Sequence, residues 1–193
     1  MKKLVSRFMA VLMAMTMILS MSMTAFAAEA PKGTLTVNNT VAGKTLDLYQ
    51  IFTATKSGDN VAYTLNSAYE GFFKTKVDNG SSLSGEALSE AAYNYVNAQV
   101  GTDGSNGAEF AKAILGWILE NNATVDATHT TATTTDGTTV INNLAYGYYV
   151  VYPLGATDTS AAPGTGQDYT SVASLVSVTD TNATVNMKSN YPT

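Results

Sequence analysis

The sequence predicts a mainly β protein, an antiparallel β-sandwich that carries an inserted two-helix subdomain. Apolar and polar residues alternate with a period of two after Gly33 and again after Val140, as in strands that bury one face. Between these regions the apolar residues recur at helical spacing. Strands before and after a helical pair, without regular alternation of strands and helices, favour a sandwich with an insertion over a doubly wound parallel sheet.

The first β region predicts three strands. Leu35 and Val37 alternate with threonines directly after Gly33. A second apolar run, from Leu46 to Phe52, follows a turn, and the residues Val61, Tyr63 and Leu65 continue the period of two.

The middle of the chain predicts two helices, near residues 84–100 and 107–121. Ser84 is a suitable N-cap for the first helix. Asn106 with Glu109 three residues later resembles a capping box at the start of the second helix. The apolar stripes of the two helices comprise Leu88, Ala92, Tyr95 and Val96, and then Phe110, Ile114, Trp117 and Ile118.

The second β region begins with a threonine-rich segment, Thr124 to Thr139, which holds nine threonines in 16 residues and predicts an exposed strand or loop. Strands are expected at 140–141, 147–152, 171–178 and 183–187, which brings the total to about seven. A segment rich in Gly, Pro, Ala and Thr, from Leu154 to Asp168, predicts a long loop.

The N-terminus has the pattern of a secretory signal peptide. Lys2, Lys3 and Arg7 precede an apolar run, and the tripeptide Ala25-Phe26-Ala27 follows it. Because signal peptidase accepts small residues at both ends of such a tripeptide, we expect cleavage after Ala27, with Ala28 as the neighbouring choice. A retained transmembrane anchor fits less well, since the run is short and is followed at once by polar chain.

Composition narrows the class of function. Residues 28–193 contain seven basic and fifteen acidic residues, a formal charge of −8, which disfavours nucleic acid and anionic membranes as partners. The length suits one domain. The chain has no cysteine, so disulfides, thiol catalysis and thiolate metal sites are excluded.

Catalytic and metal-binding signals are weak, and we predict no enzyme activity and no cofactor. The single histidine, His129, lies in the threonine-rich segment without a motif around it, which is typical of a solvated loop residue. Asp158, Asp168 and Asp180 lack the close alternating spacing of a calcium loop.

Four segments in a fixed order carry a resemblance to a known family. The chain resembles the N-terminal, immunoglobulin-like domain of isopeptide-forming fimbrial (pilin) subunits, which sortases assemble on Gram-positive bacteria. The likeness spans nearly the whole of residues 28–193. The segments are Gly33-Thr-Leu-Thr-Val37, Leu48-Tyr-Gln-Ile-Phe52, Asn143-Leu-Ala-Tyr-Gly-Tyr-Tyr-Val-Val151 and Val185-Asn-Met-Lys-Ser-Asn-Tyr-Pro-Thr193.

The resemblance implies a structural subunit of a cell-wall fimbria that contributes to adhesion. Its partners would be other pilin subunits, joined through a sortase, and a host surface protein or glycan. The chain ends at Thr193 without the sorting signal of such subunits, so we interpret it as an N-terminal fragment. The alternative is a secreted or surface adhesin, or a carbohydrate-binding module, that does not polymerise. Its contacts would come from the threonine-rich segment and the loop from Leu154.

The resemblance also raises the question of an internal Lys–Asn isopeptide. That bond requires a desolvated lysine, an asparagine in contact with it and a protonated acid nearby. In the domains that the chain resembles, the lysine lies on the first strand, the acid late in a Tyr-x-Leu-x-Glu-like strand and the asparagine on the last strand. Here Tyr152 occupies the acid position and Asn38 or a neighbour occupies the lysine position, while Asn182 and Asn186 remain available. Lys32 and Lys44 lie outside the centre of the first strand. We therefore predict no internal isopeptide.

The lysine that a sortase joins to the next subunit must be exposed and near a domain edge. Lys188 fits by position, with Lys44, Lys74 and Lys76 as weaker alternatives, although a solvated strand end is the simpler interpretation of Lys188. For the tyrosines that could stack on sugars, core packing is the preferred explanation, because alternation sends about half of them inward. These are Tyr146, Tyr148, Tyr149 and Tyr152.

Overall fold

The structure is a computed structural model that describes residues 30–101, 107–154, 170–171, 173–187 and 189–190. Its strands are β1 (Lys32–Thr40), β2 (Thr45–Ser57), β3 (Asn60–Leu65), β4 (His129–Thr133), β5 (Gly137–Ala145), β6 (Gly147–Leu154), β7 (Thr170–Ser171), β8 (Ser174–Val178), β9 (Ala183–Asn186) and β10 (Ser189–Asn190). Its α-helices are α1 (Glu70–Lys74), α2 (Gly85–Val100), α3 (Gly107–Glu120) and α4 (Asn122–Val125).

The first sheet has the strand order β5-β1-β9. β1 pairs with β5 in antiparallel register, with Val37 opposite Thr139. β1 also pairs with β9, but in parallel register, with Leu35 opposite Ala183. The sandwich is therefore antiparallel except where the first strand meets β9, a parallel pairing that sequence periodicity does not reveal.

The second sheet has the order β3-β2-β6-β8, and β4 also pairs with β2. β2 is 13 residues long, and β6 lies along one of its edges. β4 and β3 share the other edge: Tyr49 of β2 lies opposite His129, and Phe52 lies opposite Leu65. Both strands are antiparallel to β2, so they run in the same direction, one after the other.

The two sheets pack face to face over an apolar core. β1 contributes Leu35 and Val37, and β2 contributes Leu46 and Leu48, all at most 1% exposed. The other strands complete this core with Ile141, Leu144, Tyr149, Val151, Val176, Val178 and Val185. This is the mainly β, immunoglobulin-like sandwich that the alternating pattern predicts.

The helical subdomain covers the opposite face of the second sheet. Its core combines aromatic residues of β2, of α1 and of the turn before α1 with the apolar stripes of α2 and α3. It includes Phe52, Tyr69, Phe72, Phe73, Leu88, Ala92, Phe110, Ile114 and Ile118. Ser89 of α2 links the two layers, because its hydroxyl accepts a hydrogen bond of 2.8 Å from the backbone N–H of Leu65.

The two predicted helices are confirmed as α2 and α3, within a residue of the expected bounds. Ser84 lies at the N-cap of α2, but its side chain makes no capping hydrogen bond. The threonine-rich segment forms the end of α4, β4 and the start of β5. The strand expected at 171–178 is two strands, β7 and β8. None of the described helices is long and apolar enough to span a membrane.

Gly147, at the start of β6, allows a close approach of two strands in the second sheet. A Cβ atom at this position would lie 2.5 Å from the carbonyl oxygen of Phe52 and 2.9 Å from the Gln50 side chain. Because a backbone atom cannot move aside cheaply, we expect Gly147→Ala to lower the free energy of unfolding by about 1 to 3 kcal/mol.

A matched control is Gly116→Ala in α3, where a Cβ atom would meet nothing within 4 Å. This change should raise the free energy of unfolding by about 0.4 to 1 kcal/mol, because alanine loses less conformational entropy in a helix. Urea unfolding of the two variants checks the pair. A Gly147→Ala protein as stable as the parent would show that the close approach is not a constraint.

Candidate functional site

The pairing of β1 with β9 brings together the first-strand and last-strand asparagines that the sequence singled out. The amide nitrogen Nδ2 of Asn38 donates to Oδ1 of Asn186 at 2.9 Å. The hydroxyl of Thr138 on β5 donates to Oδ1 of Asn38 at 3.3 Å. In place of a lysine and an asparagine, the two strands therefore present two carboxamides joined by a hydrogen bond.

The lysines of the described residues lie at the surface or half-buried, never in the core. Lys32 begins β1 and is exposed, and the ammonium of Lys56 donates to the carbonyl of Thr179 at 3.3 Å. Lys74 pairs with Glu70 at 3.5 Å, and Lys76 lies 5.5 Å from the centre of the Phe72 ring. An amine that attacks a carboxamide must first lose its proton, which burial promotes and exposure does not. This exposure supports the prediction that the domain forms no internal isopeptide, which stays a prediction.

A buried carboxylate lies beside the position where the resemblance expects an acid. Tyr152 of β6 is opposite Asp47 of β2, and Asp47 is only 5% exposed. It is the one buried acidic side chain in the described part of the chain. Burial, together with the charge of Asp47, raises the pKa of the half-buried Tyr152 hydroxyl above its usual value.

His129 is the partner of Asp47, so the expectation of a solvated loop residue is wrong. Nε2 of the imidazole donates to Oδ1 of Asp47 at 2.8 Å, and the ring stacks on Tyr49 with centroids 4.7 Å apart. His129 is the first residue of β4, the point where the chain returns from the helical subdomain to the sheet. The pair joins residues 82 positions apart, which local sequence patterns do not reveal.

The Asp47–His129 pair holds two parts of a nucleophile–base–acid set. In the described residues, however, no hydroxyl or thiol forms a hydrogen bond to the imidazole. The stacking ring of Tyr49 also covers one face of the imidazole. The geometry fits an anchor for the returning chain, since a buried carboxylate requires a partner.

The four tyrosines considered for sugar stacking lie on or beside β6, a strand that is covered on both faces. Tyr148 faces the helices and Tyr149 faces the first sheet, where its hydroxyl donates to the carbonyl of Ala145 at 2.6 Å. Burial raises the pKa of each of these two hydroxyls to about 12. Tyr146 and Tyr152 are half-buried. Tyr148 and Tyr149 are thus packing residues, as the alternation predicts.

A small aromatic cavity of about 80 Å³ lies between the second sheet and α2. Its walls include the stacked rings of Tyr63 and Tyr93, whose centroids are 5.6 Å apart, together with Phe52 and Tyr148. Ligand sites for drug-sized molecules have volumes of roughly 300 to 1,000 Å³, so this cavity is too small for such a ligand.

Several sequence-based candidates lie outside the described residues. These are the cleavage site after Ala27, the candidate linking lysine Lys188, and Asp158 and Asp168. Asp180 is described, and its carboxylate accepts a hydrogen bond of 2.7 Å from the backbone N–H of Asn182. In the described ranges no three His, Cys, Asp or Glu side chains gather as a metal site would require.

Comparison with known proteins finds similarity at the level of the fold. No family model matches the sequence, and no curated protein is similar to it. The fold is similar to the T6 backbone pilin of serotype M6 Streptococcus pyogenes, which has a modular three-domain structure, with 18% sequence identity and a TM-score of 0.44. The similarity covers 86% of this chain and 30% of that pilin.

Removal of the histidine should destabilise the fold through the charge that it leaves behind. We expect His129→Ala to lower the free energy of unfolding by about 1 to 3 kcal/mol, since Asp47 then stays buried without its donor. Asp47→Asn should make the histidine replacement less costly, because a neutral amide needs no ionic partner.

A double-mutant cycle of the two changes, followed by urea unfolding, measures their interaction. The expected coupling exceeds about 0.5 kcal/mol. Equal costs of His129→Ala in the parent chain and in the Asp47→Asn variant would mean that the two side chains do not stabilise each other.

Proposed function

We propose that the chain is a structural subunit of a sortase-assembled surface fimbria. Residues 28–193 would be the N-terminal, immunoglobulin-like domain of a longer subunit, exported by the signal peptide and held at the cell wall. The observation that carries the proposal is the parallel pairing of β1 with β9. This pairing gives the domain a mechanical property that suits a surface protein under tension.

Tension applied to the two ends of the domain, before β1 and after β9, is transmitted through this pair of strands. Because the two strands are parallel, opposite forces on these ends slide one strand along the other. All hydrogen bonds between Leu35–Asn38 and Ala183–Asn186 are then loaded together rather than one at a time. β1 is also the central strand of its sheet, so its extraction must break the ladder to β5 as well.

The chain beyond β9 is held to β1 too. The backbone N–H of Met187 donates to the carbonyl of Asn38 at 3.1 Å, and the carbonyl of Met187 accepts from Nδ2 of Asn39 at 3.2 Å. The side chain of Met187 is 4% exposed. A covalent link to the neighbouring residue, Lys188, would therefore be made next to a strand end that β1 holds in place, which supports Lys188 as the lysine that the sortase joins to the next subunit.

The competing proposal of a non-polymerising adhesin or carbohydrate-binding module has less support. One of its two contact segments, the threonine-rich segment, is largely built into the sheets as β4 and the start of β5. The other, the loop from Leu154, lies outside the described residues apart from the end of β6.

A disulfide between β1 and β9 tests the load path. The chain has no native cysteine, so Asn38→Cys and Asn186→Cys can pair only with each other within one molecule. Under oxidising conditions, when the mature chain is pulled from its two ends, the disulfide should prevent the 148-residue segment between these positions from extending. At roughly 3.4 Å per residue, this removes about 500 Å of extension, which a reductant should restore.

The control disulfide joins Thr53→Cys with Thr64→Cys, a facing pair of β2 and β3 that encloses a span of only 11 residues. Without either disulfide, the domain should open in one step with a distinct force peak. Gradual extension from the first strand at low force would contradict a load-bearing role for the β1–β9 pair.

The assembly step is tested by Lys188→Arg in cells that make the full subunit and its sortase. Arginine keeps the charge but removes the amine that can be acylated, so the high-molecular-mass ladder should disappear. Lys44→Arg serves as the matched control and should leave the ladder intact. A ladder that persists with Lys188→Arg would place the linking lysine elsewhere, and an absence of polymers in the parent strain would contradict the fimbrial proposal itself.

A further inference from the structure

β5 is the longest edge strand of the two sheets, and one of its edges pairs with no described strand. The direction of its backbone groups follows from β1. The carbonyl of Asn38 accepts a hydrogen bond from the N–H of Met187, so the backbone N–H and C=O groups of Asn38 face β9. Because these groups alternate between the two edges of a strand, those of Leu35 and Val37 face β5. The residues of β5 opposite these two, Thr139 and Ile141, therefore direct their N–H and C=O groups inward.

The alternate residues of β5 direct their backbone groups away from the sheet. These are Thr138, Val140 and Asn142. The carbonyl of Thr138 accepts a hydrogen bond from the hydroxyl of Thr135, which agrees with an outward direction. Val140 is thus at the centre of three consecutive outward-facing positions.

This edge lacks the features that usually prevent edge strands from pairing with another chain. Gly137–Ala145 contains no lysine, no proline and no charged residue. An irregularity of the register lies between Ile141 and Leu144, where Asn143 adopts a φ of 59°, and it ends the regular edge at Asn142. A regular, uncharged segment from Gly137 to Asn142 therefore remains without a partner strand in the described part of the chain.

Val140 adds an exposed apolar side chain at the middle of this segment. It is 55% exposed, and only Leu119 is comparable among the large apolar residues in the described part of the chain. The rest of the outer face of the first sheet is polar, with a charge at Lys32 where β1 begins, and otherwise consists of Thr34, Thr36, Asn38, Thr138, Asn142, Thr184 and Asn186.

We propose that β5 pairs with β5 of a second copy of this chain, in antiparallel register about a two-fold axis at Val140. In this register Val140 faces Val140 of the other copy, and Thr138 faces Asn142. The outward backbone groups of these three residues then form about six hydrogen bonds, two for each directly hydrogen-bonded pair, and the two that end on the Thr138 carbonyls share that oxygen with the Thr135 hydroxyl. The result is a continuous sheet in which β9, β1 and β5 of each copy follow one another.

The choice of a second copy follows from self-complementarity. A two-fold interface requires the same patch on both partners, and this register places valine on valine and threonine on asparagine. The mature chain carries a formal charge of −8, which opposes association elsewhere, but the paired segment brings no charges together. Hydrogen bonds from Thr138 to Asn38 and from Thr34 to Asn142 already hold the flanking side chains in place. Because the segment is short, the dimer should be weak and depend on concentration.

Sedimentation equilibrium of the mature chain over a range of concentrations tests the proposal. The parent protein should show a monomer–dimer equilibrium, and Val140→Lys should raise the dissociation constant at least about tenfold, because two like charges would face each other at the axis. Thr184→Lys is the matched control: it adds the same charge to an exposed position of the same face, on β9, and should leave the equilibrium unchanged. Equal thermal stability of the two variants ensures that both are folded.

Amide hydrogen exchange at Val140 provides the second measurement. The proposal expects rapid exchange in dilute solution and slower exchange as the concentration rises. Slow exchange at all concentrations would show that another segment of the same chain covers this edge and would overturn the proposal. A parent protein that stays monomeric, or a Thr184→Lys protein that dissociates as much as Val140→Lys, would do the same. These measurements need no sortase, so their outcome is independent of the fimbrial proposal.

Discussion

The architecture depends on the burial of β2 on both of its faces. Leu46 and Leu48 point toward the first sheet, whereas Tyr49 and Ile51 point toward the helices, and all four are at most 6% exposed. A strand that is apolar on both sides must be covered on both sides, because each uncovered side chain would cost about 1.5 to 3 kcal/mol. One cover is the facing sheet and the other is the helical subdomain. The insertion is therefore a structural layer of the domain, as well as a connection.

Much of this arrangement is predictable from the sequence, because it is encoded in local periodicity. The stripes of α2 and α3 repeat over several turns, and the strand pairs alternate over several residues, so their positions follow from spacing alone. The parallel pairing of β1 with β9 and the contact of Asp47 with His129 are different. They join residues 82 or more positions apart, and no local signal distinguishes a histidine in a loop from one that begins a strand.

In the proposed fimbria, the contact of Asn38 with Asn186 would bear on how the domain resists force. A hydrogen bond between two carboxamides can break under load and form again afterwards. A covalent crosslink does not break under such a load, so the segment that it encloses cannot extend. A domain clamped by hydrogen bonds can therefore extend under a strong pull and refold when the load falls. The buried Asp47–His129 pair serves a similar purpose at the second sheet, since it ties β4 to β2 without any covalent bond.

The common edge shared by β3 and β4 has a consequence for how the domain tolerates change. Leu65 and His129 lie opposite Phe52 and Tyr49 of β2. The 63-residue segment between them therefore starts and ends at nearby positions along the same edge of β2. In topological terms, β3 and β4 are one strand that is interrupted by an insertion, residues 66–128. The sandwich constrains this insertion in two ways: it fixes the distance between the two ends of the insertion, and it presents the apolar face that the insertion must cover. Homologous chains can therefore exchange or enlarge this segment without any change in the strand order, and the same junction is a natural place to insert a foreign domain.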